Sequence, residues 1–138
     1  MKTTIRFSMP AILFAVFSVF LTNCKDIPEI STIAVTDVTQ TTATSGGIIS
    51  TDDGVTITAR GVCWSTSETP TIADNKTTYR TGSGSFISSI TGLTANTRYY
   101  VRAYATNSEG TGYGRAMSFI TLESSIPVLS TNKITIVT

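Results

Sequence analysis

The chain contains no histidine. That removes the side chain most often used as a general base near neutral pH, and the commonest metal ligand. Cysteine is scarce: Cys24 and Cys63 are the only two among 138 residues. Charge is scarce as well, with 14% Asp, Glu, Lys and Arg and a formal net charge of +1. A nucleic-acid partner calls for a clustered basic face, and the ten Lys and Arg residues form none. After the first two dozen residues no window carries a 3.6-residue apolar period, so helices are not expected. What remains is Thr, Ser, and β-branched and aromatic residues at short intervals, the composition of strands. The length suits one domain, with a core just large enough to fold by itself.

The N-terminus reads as a processing signal. Lys2 and Arg6 precede the apolar run FSMPAILFAVFSVFL at residues 7–21, the order of a secretory signal peptide. At about 1.5 Å per helical residue the run is short for a bilayer span, which leaves a short membrane anchor as the alternative. It ends in LTNC, residues 21–24. A Cys directly after such a run resembles the lipobox of bacterial lipoproteins, although Asn23 stands where that family usually has Gly, Ala or Ser. The resemblance implies a signal peptide over residues 1–23, a diacylglyceryl (palmitate-type) group on the Cys24 sulfur, and an acylated Cys24 amine. Several acyl chains, at about 0.8 kcal/mol per buried methylene, make a stable membrane anchor. Lys25 and Asp26 resemble the short charged export signals of Bacteroidetes surface lipoproteins. The implied location is the bacterial outer membrane or cell surface; a plain secreted protein with a chance Cys24 is the competing reading. If Cys24 carries lipid, Cys63 has no disulfide partner and packs as a small apolar side chain. A Cys24–Cys63 disulfide is the other possibility.

From Thr32 onward, strand-like runs alternate with turn signals. The runs are TIAVTDV, TATSGGIIS, TITARGVCWS, TTYR, SFISSI, TRYYVRAYATN and GRAMSFITL. Between them lie TDDG, SETPTIADN, TGSG, TGLTAN and SEGTGYG, rich in Gly, Asn, Asp and Pro. About seven short strands in this span predict an all-β, immunoglobulin-like β-sandwich. Asp52, Asp53 and Gly54 read as a hairpin turn.

The stretch LTANTRYYVRAYA, residues 93–105, resembles the fibronectin type III pattern L-x-P-x-T-x-Y-x-V-x-A. Leu93, Thr97, Tyr99, Val101 and Ala103 are in step, and Ala95 replaces the usual Pro. The resemblance assigns Tyr99 to a tyrosine corner, its hydroxyl bonded to backbone upstream. VTDVTQTTAT, residues 35–44, is similar to the first two strands of that family. The family's tryptophan sits in the second strand, whereas Trp64 falls in the next run. Register decides its side: with Val62 and Trp64 inward it is core, the expected position, and with Gly61 and Cys63 inward Arg60 and Trp64 join Tyr100 and Tyr104 outside. With ARGVCWS and ATNSEGTGYG, the body also looks like repeats of Bacteroidetes exported proteins. The expected organisation is a tether at residues 24–31 and a fibronectin type III-like domain at residues 32–122.

Residues 126–138, IPVLSTNKITIVT, match residues 27–39, IPEISTIAVTDVT, at a constant offset of 99. The Ile-Pro pair, a Ser, a Val and three Thr positions coincide. One sandwich plus a linker has about this period. Residues 123–138 are therefore expected to be the linker and first strand of a second, truncated repeat, lacking a sheet to join and poorly packed. A terminal strand of similar composition is the alternative.

Chemistry is harder to find. The carboxylates Asp26, Glu29, Asp37, Asp52, Asp53, Glu68, Asp74, Glu109 and Glu123 are scattered over the tether, turns and loops, without the facing pair a glycosidase needs. Asp52, Asp53, Asp74 and Asn75 carry oxygens suited to calcium, but their spacing matches no EF-hand-like loop. A Ser nucleophile has no base at a recognisable spacing. TGSG and GTGYG superficially look like phosphate loops, but strands rather than helices follow them, so both are read as plain loops. No enzyme, no metal and no cofactor is expected.

One surface feature stands out. If Tyr99, Val101, Ala103 and Ala105 face the core, Tyr100, Arg102 and Tyr104 alternate onto the outer face. That strip suits a planar or sugar ligand by stacking and hydrogen bonding, or a cross-strand ladder that merely covers the sheet. The expected function is a non-catalytic, lipid-anchored spacer or adhesion module with a possible glycan or protein ligand. The alternatives are an accessory module of a larger degradative enzyme with a catalytic domain beyond residue 138, and a glycan-binding module using the strip.

Overall fold

The computed structural model describes residues 26–52, 54–79 and 81–125. Cys24, the signal-like segment and the repeat-like residues 126–138 lie outside the described residues. The elements are β1 (Glu29–Thr36), β2 (Ala43–Thr51), β3 (Ala59–Ser65), β4 (Asn75–Lys76), β5 (Gly84–Ile90), β6 (Arg98–Asn107), β7 (Gly110–Tyr113) and β8 (Met117–Ile120). They form two antiparallel sheets, one ordered β1-β2-β5, the other β4-β3-β6-β7 with β8 also on β6.

Alternation along each strand decides which residues meet between the sheets. On β5, Phe86, Ser88 and Ile90 are buried while Ser85, Ile87 and Ser89 are exposed. On β6, Tyr99, Val101, Ala103 and Ala105 point into the core, as a period of two requires. Ile30, Ile49, Phe86 and Ile90 close over them from the three-stranded sheet, with Val62, Trp64 and Phe119 on the same side as β6. Trp64, at 8% exposure, lies in this core.

Four features differ from the sequence-based expectation. First, β1 begins at Glu29 and so takes Glu29, Ile30 and Ser31 from the stretch read as tether. Burial of Ile30 and a backbone ladder to β2 hold them. Second, the Asp52 turn is not a hairpin, because β2 and β3 belong to different sheets. Asp52 Oδ1 accepts from the Gly54 amide at 3.1 Å and its carbonyl accepts from Val55 at 2.7 Å, turning the chain across the sandwich. Third, the described part of TTYR, Thr77 to Tyr79, is not a strand. The pairing with β3 falls on Asn75 and Lys76, and Tyr79 makes only an isolated bridge to Arg60.

Fourth, GTGYG is not a loop: Gly110–Tyr113 is β7, paired with the end of β6. Its alternate glycines face the start of β1. A Cβ on Gly112 would collide with the Pro28 carbonyl, one on Gly114 with Thr32 Oγ1, and one on Gly110 with Ile27 Cγ2. Their spacing therefore serves close approach of two strands rather than a ligand.

The gap between β7 and β8 leaves a mark on β6. Gly114 N donates to the Ala103 carbonyl at 2.9 Å, the last bond before the break. The Ala103 amide instead donates to Thr32 Oγ1 at 3.0 Å, a fully buried bond. One threonine of β1 thus satisfies a backbone group that the broken strand cannot.

Candidate functional site

The outer face of the five-stranded sheet carries the strip weighed as a possible ligand site or a covering ladder, and part of it is covered. Part of the connection between β3 and β5 folds back over it, with Pro70 and Ile72 against Arg102 and Tyr113 and with Thr77 and Thr78 against Tyr104. Gly61 admits this cover, since a Cβ there would meet the Thr77 carbonyl. Thr77 is stitched to β3 by its amide to the Val62 carbonyl at 2.9 Å and by its hydroxyl, which accepts from Val62 N at 3.0 Å.

Tyr104 is therefore not on an exposed strip: it is 2% exposed. Its hydroxyl donates to the Thr77 carbonyl at 2.7 Å and lies 3.2 Å from the Thr78 hydroxyl. Burial pushes its pKa up, with the Thr78 hydrogen bond opposing in part. Arg102 is spent on the fold. Its Nε donates to the Gly114 carbonyl at 3.0 Å, Nη1 reaches the Pro70 carbonyl at 3.4 Å, and the guanidinium lies 4.4 Å from the Tyr113 ring centroid. Pro70 is itself fully buried, and Tyr113 Oη accepts from the Ile72 amide at 3.2 Å. Of the three strip residues only Tyr100 remains half-exposed with its side chain uncommitted by any of these bonds, between Ser65 and Ser118 on the neighbouring strands. Arg102 and Tyr104 thus clasp the covering connection to the sheet.

Cys63 lies under the same cover, fully buried, with Sγ 3.6 Å from the Arg102 carbonyl. Desolvation raises its pKa to about 11, outweighing the opposing effect of the Arg102 charge. Burial and a raised pKa leave little thiolate at neutral pH, which makes Cys63 a poor nucleophile and suits packing as a small apolar side chain.

Leu93, Tyr99 and Val101 sit at one pole of the sandwich. Tyr99 Oη accepts from the Thr94 amide at 3.0 Å, five residues upstream, and its ring stacks on Phe119 at 5.9 Å. Thr121 Oγ1 ties the same loop to β8, donating to the Thr94 carbonyl at 2.6 Å and accepting from Thr97 N at 2.9 Å. Asn96 takes the left-handed conformation there, φ 50°, which Asn tolerates better than most residues.

Of the acidic residues weighed as calcium ligands, Asp52 and Asp74 act as turn formers and Asp53 lies outside the described residues: Asp74 Oδ2 accepts from Thr71 N at 2.8 Å, much as Asp52 does from Gly54. Among the described residues no group of three or more His, Cys, Asp or Glu side chains is placed to hold a metal ion. Nor, among them, is any helix long and apolar enough to cross a membrane.

The open face lies on the other sheet. Ile48 and Ile87, 47% and 59% exposed, flank Gly46 on β2 and β5, with half-buried Ile33 opposite Gly46 on β1. Sequence reasoning missed this patch although TSGGIIS and SFISSI carry it: in each, one isoleucine falls on the outward parity while its neighbours face the core.

No family model matches the sequence, and no curated protein does. Solved structures do resemble the sandwich. The sensor domain of the anti-sigma factor RsgI4 of Pseudobacteroides cellulosolvens is 15% identical, covering 79% of this chain and 88% of that one, with a TM-score of 0.52. The third fibronectin III domain of human KIAA0343 protein is 17% identical over 78% of this chain and 94% of that one, TM-score 0.51. The FN1-FN3 domains of chicken CNTN1 are 18% identical over 72% of this chain, which spans 33% of that one, TM-score 0.53. At these identities the likeness is one of fold, and the fold is a fibronectin type III-like β-sandwich.

Proposed function

We propose that the chain is a non-catalytic, lipid-anchored exported protein whose sandwich acts as an in-line spacer or binding module. The observation that carries the spacer reading is where the two ends leave the sandwich. The Asp26 carbonyl accepts from Asn107 Nδ2 at 3.0 Å, at the β6–β7 turn. Ser125 Oγ accepts from Gln40 Nε2 at 3.4 Å and Leu122 N donates to the Thr39 carbonyl at 3.0 Å, beyond the far end of β1. The ends thus leave opposite poles, separated by roughly the length of an eight-residue strand, ~26 Å. Such a module extends whatever it joins. An anchor at Cys24 would be two residues from Asp26, so the sandwich would stand directly on the membrane. A catalytic role has no support in side chains that are committed to the fold, and with Tyr104 buried and Arg102 bonded to backbone the strip does not favour a glycan there.

The anchor is tested by phase partitioning in Triton X-114 together with intact mass. The native protein is expected in the detergent phase, with a mass equal to a chain starting at Cys24 plus its acyl groups. Cys24→Ser is expected in the aqueous phase. Partition unaffected by Cys24→Ser would overturn the anchor.

A further inference from the structure

Residues 126–138 repeat residues 27–39, and the structure shows which of the repeated positions matter. Ile27 packs against Gly110 and Pro28 against Gly112, and Ile126 and Pro127 are identical to them. Ile30 is buried against Gly47, and Leu129 stands in its place. Thr32 holds the orphaned Ala103 amide, and Thr131 corresponds to it. Val35 packs on the core, and Ile134 corresponds. The replacements with altered character fall where β1 faces outward or is less buried: Glu29 to Val128, Ile33 to Asn132 and Ala34 to Lys133. The two segments part company at Asp37, whose φ of 50° does not suit Ile136, but β1 ends at Thr36. The match is thus a match to the slot that β1 occupies, side chain by side chain on its inner face.

We infer that residues 126–135 of one copy fit the β1 slot of a second copy, pairing with its β2, so that the chain associates with itself by strand exchange. A second copy is the partner because of the poles. Ser125 lies beside Gln40, whereas a strand in β1's direction must enter at Gly110 and Asn107, at the other end. A chain that leaves one pole and enters the opposite pole of its neighbour builds a head-to-tail row, and the inserted strand adds backbone pairing as in strand-addition recognition. Each slot then has two competing strands, its own β1 and the neighbour's segment. Exchange of this kind needs no covalent step.

The test uses the full chain carrying Cys24→Ser, which leaves buried Cys63 as the only native thiol. Ser31 pairs with Ile48 on the outer face, so Ser130, its counterpart, is predicted to lie beside Ile48 of the neighbour. A Ser130→Cys chain is mixed with an Ile48→Cys chain at about 1 mM, the effective concentration a short tether would give. A short bifunctional thiol cross-linker is added and heterodimers are read by mass. The expected result is heterodimer in clear excess over a control pairing Ser130→Cys with Ser89→Cys on β5. Two further variants should act with opposite signs. Thr131→Val, in the inserting segment, should reduce the cross-linked fraction roughly tenfold by leaving the Ala103 amide unpaired in the exchanged form. Thr32→Val should raise it by weakening the competing β1. Heterodimer no more abundant than with Ser89→Cys, or unaffected by Thr131→Val, would overturn the inference.

Discussion

At the scale of the residue, the fold depends on a few side chains that finish hydrogen bonds the strands leave open. Thr32 is the clearest. Its hydroxyl is the acceptor for a buried amide at the β7–β8 break, so Thr32→Val keeps the shape and removes the partner. A buried, unpaired amide costs about 1–3 kcal/mol, and chemical denaturation should show a loss of that size, with Thr32→Ser closer to the native protein. Tyr99→Phe deletes the acceptor for Thr94 N at a less enclosed site, and a loss of about 1 kcal/mol is expected. Cys63 offers a pH test. Its thiol has an ordinary value of 9.0 and is raised by burial to about 11, so folding favours the protonated form. The associated stability is fully present below pH 9.0, declines as pH rises toward about 11 and does not return above it. Stability of Cys63→Ala should be flatter than that of the native protein across this window in alkaline denaturation series.

At the scale of the element, the sequence announced strands more reliably than it announced what covers them. The β6 alternation and the Tyr99 motif were readable because both are local: a period of two and a five-residue hydrogen bond. The same alternation separated Tyr100, Arg102 and Tyr104 from the core side, yet it could not reveal that Thr77 and Thr78 lie against Tyr104. Parity fixes relative sides, and burial depends on segments distant in sequence. GTGYG failed for a related reason. Its glycines look like turn chemistry until Pro28 and Thr32, some eighty residues earlier, are seen to press against them. Gly112→Ala tests this reading, because a turn glycine and a contact glycine respond differently. Gly112 lacks the positive φ that would make alanine strained by itself, so the whole cost comes from pushing Pro28 off β7. Overpacking of this kind costs about 1–3 kcal/mol, and hydrogen exchange should show the loosening at the β1 amides rather than at the β6–β7 turn.

At the scale of the whole molecule, the question is where the cooperative unit begins and ends. The alternating pattern places its start at Thr32, but the sandwich is not closed without the residues before that. Ile30 is 7% exposed in the core, and Asp26, Ile27 and Pro28 lie along β6 and β7 through the Asn107 bond and the glycine contacts. A chain starting at Thr32 loses the Ile30 side chain, a change that costs about 2–5 kcal/mol even when only truncated to Ala, and loses the ladder from Glu29 to Ser31 as well. Against a total stability of about 5–15 kcal/mol for a domain, that deficit leaves the shortened chain near or below its folding threshold. The far end behaves differently. Thr121, Leu122 and Ser125 bond to Thr94, Thr39 and Gln40, and these bonds close the corner pole. Chains spanning residues 26–125 and 32–125 should therefore part company in thermal melting. The first is expected to unfold in one cooperative transition near that of a longer chain at high dilution. The second is expected to show a much lower Tm or no transition, and equal melting of the two would mean that β1 contributes its pairing to the sandwich without contributing to its core.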